Sequence, residues 1–246
     1  MKRIAIVTGA AGGIGTEICK RLTSDNFKVI ATYRTESADK AKKWQAKLAE
    51  NGVDIDIMPV DVSEFTSCSK LVSCINADFG PVSVLINNAG ITDDATMKNI
   101  TSDQWNNVLR TNLDSVFNMS KLVFQAMCEN GWGRIVNISS INGQKGQFGQ
   151  VNYAAAKAGM YGFSKSLAQE GARKGVTVNT VSPGYIATEM VTKLPENILQ
   201  SIVSEIPVGR LGSAVEIANA VSFLVGEHSG FITGSNISIN GGQHMY

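Results

Sequence analysis

The stretch that decides the fold is Ile4-Ala5-Ile6-Val7-Thr8-Gly9-Ala10-Ala11-Gly12-Gly13-Ile14-Gly15, followed by TEICKRLTSDNF at 16–27. IAIVT at 4–8 is a continuously apolar run of strand length, and the later segment has helical periodicity. A strand therefore runs through a glycine turn into a helix. Each glycine has a use at that junction. Gly9 permits the tight turn, Gly13 lets a pyrophosphate approach the backbone, and Gly15 lets the helix pack close to the sheet. A helix N-terminus offers unpaired N–H groups to phosphates, and Ile14 sits among them. The spacing is GxxxGxG, with no Lys-Ser/Thr of an ATP-binding loop.

The same alternation continues outward. KVIATY at 28–33 is a second strand, residues 37–50 a polar helix, DIDIMPV at 54–60 a third strand, and 64–78 a helix. VSVLINNAG at 82–90 reads as a strand ending in a small-residue turn, and 102–130 as one long helix. RIVNISS at 134–140 is a fifth strand, 152–173 a long helix, and VTVNTVSPG at 176–184 a sixth strand. A polar, loop-like stretch with some helical character follows, then a helix at 214–225 and a short strand, NISING, at 236–241. Strands that are apolar throughout, rather than alternating, belong to a parallel sheet covered on both faces. One doubly wound α/β domain over 1–246 accounts for the whole chain, with its site expected at the C-terminal ends of the strands.

The cofactor end reads as a dinucleotide site. After the second strand comes Arg34, where an acidic residue would favour NAD; a guanidinium there can pair with a 2′-phosphate and favours NADP. Arg34 also reads as a solvated surface residue, and Glu36 stands where an NAD-type acid would sit. Asp61 and Val62, after the third strand, are placed for the adenine edge, though Asp61 equally suits a helix cap. Asn88, Ala89 and Gly90 end the fourth strand with residues small enough for a ribose to lie against the backbone.

The chemical end is carried by Ser139-Ser140 at a strand end, and by Tyr153 and Lys157 at i,i+4 on one helix face. A phenol titrates near 10, and a neighbouring ammonium stabilises its phenolate. Tyr153 is thus a candidate proton donor, with Lys157 also able to hold a ribose, Ser140 a carbonyl oxygen, and Asn112 a water linked to Lys157. A YxxxK pair alone is common; Ser140 thirteen residues upstream and the glycine turn give it weight.

Composition narrows the class. Net charge is +1 with no basic stripe, which argues against a nucleic-acid partner. The four cysteines, Cys19, Cys68, Cys74 and Cys128, form no CxxC pair, and His228 and His244 are the only histidines, so no metal site or disulfide is expected. No apolar run reaches the roughly 20 residues that span a bilayer. The chain starts directly on KRIAIVTG, so no signal peptide and a cytoplasmic location are expected.

These residues together resemble the short-chain dehydrogenase/reductase family. The resemblance rests on TGAAGGIG at 8–15, NNAG at 87–90, NL from Asn112, Ser140, YAAAK at 153–157 and SPGYIATEM at 182–190. It implies a Rossmann-type seven-stranded sheet, a tetrad of Asn112, Ser140, Tyr153 and Lys157, and nicotinamide contacts from Pro183, Gly184, Ile186 and Thr188. A homotetramer built partly from the two long helices is also implied. Within the family, GWGRIVNISSINGQKGQFGQVNYAAAKAG at 131–159, VTVNTVSPGYIAT at 176–188 and GGQHM at 241–245 are similar to the branch that reduces acetoacetyl-CoA with NADPH for polyester storage. That likeness implies an acyl-CoA substrate touching Asp94, Lys98, Gln147, Phe148, Gln150 and Tyr185. Read without it, the 144–150 loop is either a lip over a thioester or a surface turn. The chain departs from its kin at Gly12, where many NADP users carry a basic residue, and at Asp93 and Asn99, where basic residues are usual.

Overall fold

A computed structural model of the chain, describing residues 2–245, contains one seven-stranded, all-parallel sheet. The strands are β1 (Ile4–Val7), β2 (Lys28–Tyr33), β3 (Asp56–Pro59), β4 (Val82–Asn87), β5 (Gly133–Ile138), β6 (Val176–Pro183) and β7 (Asn236–Ile239). Their order is β3-β2-β1-β4-β5-β6-β7. The chain winds outward from β1 to β3, then returns to lay β4 on the other side of β1. That reversal opens a crevice above the β1 and β4 carboxyl ends.

The helices are α1 (Gly13–Ser24), α2 (Ala38–Glu50), α3 (Phe65–Asp78), α4 (Ser102–Leu109), α5 (Ser115–Glu129), α6 (Ile141–Lys145), α7 (Val151–Gly171), α8 (Glu189–Thr192), α9 (Glu196–Ser204) and α10 (Ala214–Val225). Successive strand residues face opposite sides, and both sides are dry. Ala5 and Val7 join a core with Ile18 and Leu22 of α1, Leu48 of α2 and Val221 of α10. Ile4 and Ile6 join a second core with Leu71 and Ile75 of α3 and Met119 and Val123 of α5. Full burial of β1 on both faces explains why its sequence lacks alternation.

Two stretches differ from the sequence expectations, and a third is made specific. The helix read over 102–130 is interrupted by a π-turn at Arg110–Asp114, between α4 and α5. The fifth strand stops at Ile138, and Ser139 and Ser140 leave the sheet. Ser140 then caps α6, a short helix that no expectation covered and that runs into the 144–150 loop, its hydroxyl accepting from the Asn142 N–H (3.1 Å). The polar segment after β6 carries the short helices α8 and α9.

Candidate active site

The glycine turn is built as a cradle. Gly9 has φ +60°, and a Cβ there would lie 2.8 Å from the Ala89 Cα. A Cβ on Gly13 would lie 2.9 Å from the Thr188 methyl, and one on Gly15 would lie 2.8 Å from Ala10 backbone. The α1 N-cap is Gly12, with no side chain to satisfy the first-turn N–H groups. Thr8 Oγ1 accepts from both Asn88 N and Ala89 N (3.0 Å each), and Asn88 Nδ2 donates to Thr8 O and Gly9 O. The glycine turn and the β4 end are therefore one clasped unit.

A cleft of about 480 Å³ runs over this unit. Gly9, Gly13, Ile14, Gly15, Arg34, Val62, Asn88, Ala89, Gly90 and Thr188 line it, as expected from sequence. Lys40, on the first turn of α2, lines it beside Arg34, and sequence reading passed over it as one lysine among many on a polar helix. Asp61 is not in the cleft wall, and it does not cap α3, whose N-cap is Glu64; its Oδ1 accepts from Ser63 N (2.9 Å) and Ser63 Oγ (2.7 Å) in the turn before that helix. Glu36 is exposed and also outside the wall. A glycine-floored groove, an open helix N-terminus and two cations at its far end suit the shape and charge of a dinucleotide.

The cleft continues into a cavity of about 280 Å³ that shares Ile14, Asn88, Gly90 and Thr188. Ser140, Gln150, Tyr153, Lys157, Pro183, Gly184, Tyr185 and Ile186 complete its wall. Tyr153 and Lys157 come from one face of α7, and the Lys157 ammonium lies 5.6 Å from the Tyr153 ring centroid. Lys157 Nζ donates to Ile138 O (2.7 Å), while Ser139 Oγ donates to Lys157 O (2.8 Å). The α7 backbone is thus pinned to the end of β5.

Asn112 lies in the π-turn and is fully buried. Its Nδ2 donates to Ile91 O and its Oδ1 accepts from Ile91 N, both at 2.8 Å. A Cβ on Gly90 would lie 2.7 Å from that Oδ1 and 3.5 Å from Lys157 Nζ. A π-turn adds one residue to a helix and swings a side chain out of its usual register. Here it delivers an amide against the loop after β4.

The electrostatics differ from the expectation that Lys157 lowers the Tyr153 pKa. Burial pushes the phenol up, and its hydrogen bond with Ser140 opposes this. Lys157 is itself pushed down to about 7 by burial. Both charged forms are penalised by the dry wall, so Tyr153 is held protonated.

The substrate loop is only partly gathered. Gln150 Nε2 donates to Asp94 Oδ2 (2.7 Å), and Asn142 Nδ2 donates to Gln150 Oε1 (2.9 Å). Gln147, Phe148 and Lys98 are exposed and outside the cavity wall; Phe148 is 87% exposed. Among the described residues there is no cluster of His, Cys, Asp and Glu able to hold a metal, and no helix long and apolar enough to cross a membrane.

The short chain dehydrogenase family pattern matches residues 3–199, most of the chain. The chain belongs to the short-chain dehydrogenase family. It is accordingly an oxidoreductase that works between ketone and alcohol with a nicotinamide cofactor. It is similar over its whole length to the acetoacetyl-CoA reductase of Allochromatium vinosum, at 49% identity covering 100% of both chains. It is 51% identical to the acetoacetyl-CoA reductase of Cupriavidus necator over 99% of each. The 3-oxoacyl-[acyl-carrier-protein] reductase of Salmonella typhimurium is 44% identical over 99% of this chain and 98% of its own. In short-chain dehydrogenase terms, Ser140, Tyr153 and Lys157 share one cavity wall, and Asn112 stands behind Gly90 and Ile91.

Proposed function

We propose that this chain, as one reductase domain over 1–246, reduces acetoacetyl-CoA to (R)-3-hydroxybutyryl-CoA with NADPH, in the cytoplasm and as a homotetramer. The observation that carries the reading is the meeting of Ser140, Tyr153 and Lys157 on the wall of a cavity that opens into the glycine-floored cleft. Whole-length likeness to acetoacetyl-CoA reductases supports the substrate.

NADPH, when bound, supplies the hydride for the 3-keto carbon. Arg34 and Lys40 would hold its 2′-phosphate, and the open α1 N-terminus would hold its pyrophosphate. Val62, Ala89, Pro183, Gly184, Ile186 and Thr188 pack along it. The Ser140 hydroxyl orients the keto oxygen. Tyr153, kept protonated by its surroundings, gives its proton to that oxygen as charge develops there. Lys157, 5.6 Å from the Tyr153 ring centroid, would hold the nicotinamide ribose. Asn112 fixes Ile91 and so the floor beside Lys157. Gln150 and Tyr185 flank the acyl group, and Asp94 orients Gln150. Gln147, Phe148 and Lys98 are exposed outside the cavity wall, so only the long carrier arm of the thioester could reach them.

The second reading is reduction of a 3-oxoacyl group on a carrier protein, favoured by the 44% identity to such a reductase. Side-by-side kinetics with acetoacetyl-CoA and acetoacetyl-carrier protein, each with NADPH and NADH, separate the two. The expected result is the higher kcat/KM for acetoacetyl-CoA with NADPH; a higher value for the carrier protein moves the assignment to the second reading. Tyr153→Phe should lower kcat by about 100-fold or more, the usual range for a lost general acid.

A further inference from the structure

Tyr161 follows Lys157 by four residues and Tyr153 by eight, so all three stand on one face of α7. Tyr161 does not line the cavity. Its hydroxyl instead lies 3.0 Å from Ser140 O and 3.0 Å from Ser182 Oγ. A carbonyl can only accept, so the bond to Ser140 takes the tyrosine's single proton. Ser182 Oγ also lies 2.6 Å from Asn236 Oδ1, so its one proton serves either Tyr161 or Asn236. A line of polar groups thus runs from β7 through β6 and α7 to the Ser140 peptide.

Ser140 needs such a tie. It has left the sheet and stands in extended backbone (φ −163°, ψ 153°) between β5 and α6. Its hydroxyl is engaged by the Asn142 N–H, 3.1 Å away, and by Tyr153. Those bonds set where the hydroxyl points only if the peptide that bears it is fixed. Gly143 N holds the Ser140 carbonyl from within α6 (3.0 Å), a bond that is local to the turn after β5. Tyr161 ties the Ser140 carbonyl itself to α7, where the Ser139 bond to Lys157 O holds the preceding residue.

We propose that Tyr161 is a positioning residue for carbonyl reduction: it locks the Ser140 peptide to α7, so that the Ser140 hydroxyl and the Tyr153 phenol meet the same substrate oxygen. The proposal rests on the reductase reading given above. It acts on turnover through Ser140 and leaves cofactor binding untouched.

The test is a double-mutant cycle on the full-length enzyme with NADPH and acetoacetyl-CoA, using Tyr161→Phe, Ser140→Ala and the pair. Phenylalanine keeps the ring and removes only the hydroxyl. In the parent enzyme Tyr161→Phe should lower kcat about three- to ten-fold, the loss expected for one neutral hydrogen bond. The dissociation constant for NADPH and the thermal midpoint should stay close to the parent values. In the Ser140→Ala background the same change should cost less than about two-fold, because no hydroxyl remains to be aimed. Ser182→Ala is the second probe: it removes the hydroxyl contact on the other side of Tyr161 and should move kcat in the same direction by a smaller factor. An undiminished kcat in Tyr161→Phe overturns the proposal, as does an equal loss in both backgrounds, which is the mark of a general structural role. A Ser140→Ala enzyme with full turnover would overturn the reductase mechanism as well, so the two failures are told apart.

Discussion

At the scale of single residues, the site is a matter of which charges the protein allows in a dry wall. Lys157 is the clearest case. Its folded pKa, about 7, lies below the ordinary lysine value of 10.5. The folded protein therefore binds fewer protons than the unfolded chain between those values, and stability rises with pH across that window. Below pH 7 the full cost of the buried ammonium is present. Lys157→Met should accordingly raise the thermal midpoint most at pH 6, with the gain shrinking as pH climbs toward 10; a constant gain would refute the buried-charge account. At the other end of the cleft, Arg34→Ala and Lys40→Ala should each raise the KM for NADPH by about ten-fold, the worth of one charge-assisted hydrogen bond, and leave that for NADH unchanged. Ser140, Tyr153 and Lys157, which share one cavity wall, were legible as candidates because their spacing is local or tied to a strand end, whereas Asn112 lies in a π-turn and has no such mark. Lys40 could not, since one cleft-facing lysine looks like its neighbours Lys42 and Lys43 until α2 is laid against the glycine turn.

Elements explain what patterns of residues hide. The period of apolar positions finds α4 and α5 but gives no sign of the π-turn between them, because one extra backbone residue leaves hydrophobicity almost unchanged. The turn is nevertheless what carries Asn112 to Ile91. Burial also defeats the eye at α7. Its buried positions include Asn152, Lys157 and Ser164, so polarity does not mark its inward face. The start of α4 is legible: Thr101 and Gln104 form a reciprocal capping box. Thr101→Ala should cost about 1 kcal/mol, measured by denaturant unfolding. Gln104 also reaches Asp93 (2.7 Å), and Asn152 of α7 donates to Asp93 O, so fraying of α4 should also raise the KM for acetoacetyl-CoA.

Across the whole molecule, the alternation of strands and helices was enough to place the strand ends, the crevice and the two cores. What it left open is how the surface is covered. Phe65 and Phe117 stack at the exposed edge of α3 and α5, and Phe223 and Phe231 are exposed on the opposite layer. Scattered apolar side chains are ordinary, but contiguous ones mark contact surfaces. On the homotetramer proposed above, sedimentation should give a particle of about four times the 26.2 kDa chain, and aspartate in place of Phe117 should shift it toward smaller species if the Phe65–Phe117 face lies in a contact. The clasp between the glycine turn and the β4 end has a temporal consequence. Thr8 and Asn88 fasten the two loops to each other before anything arrives, so the dinucleotide meets a finished floor. Its capture should be a single diffusive event, linear in concentration in a stopped-flow trace. Any waiting in the cycle then belongs to steps after the dinucleotide is seated.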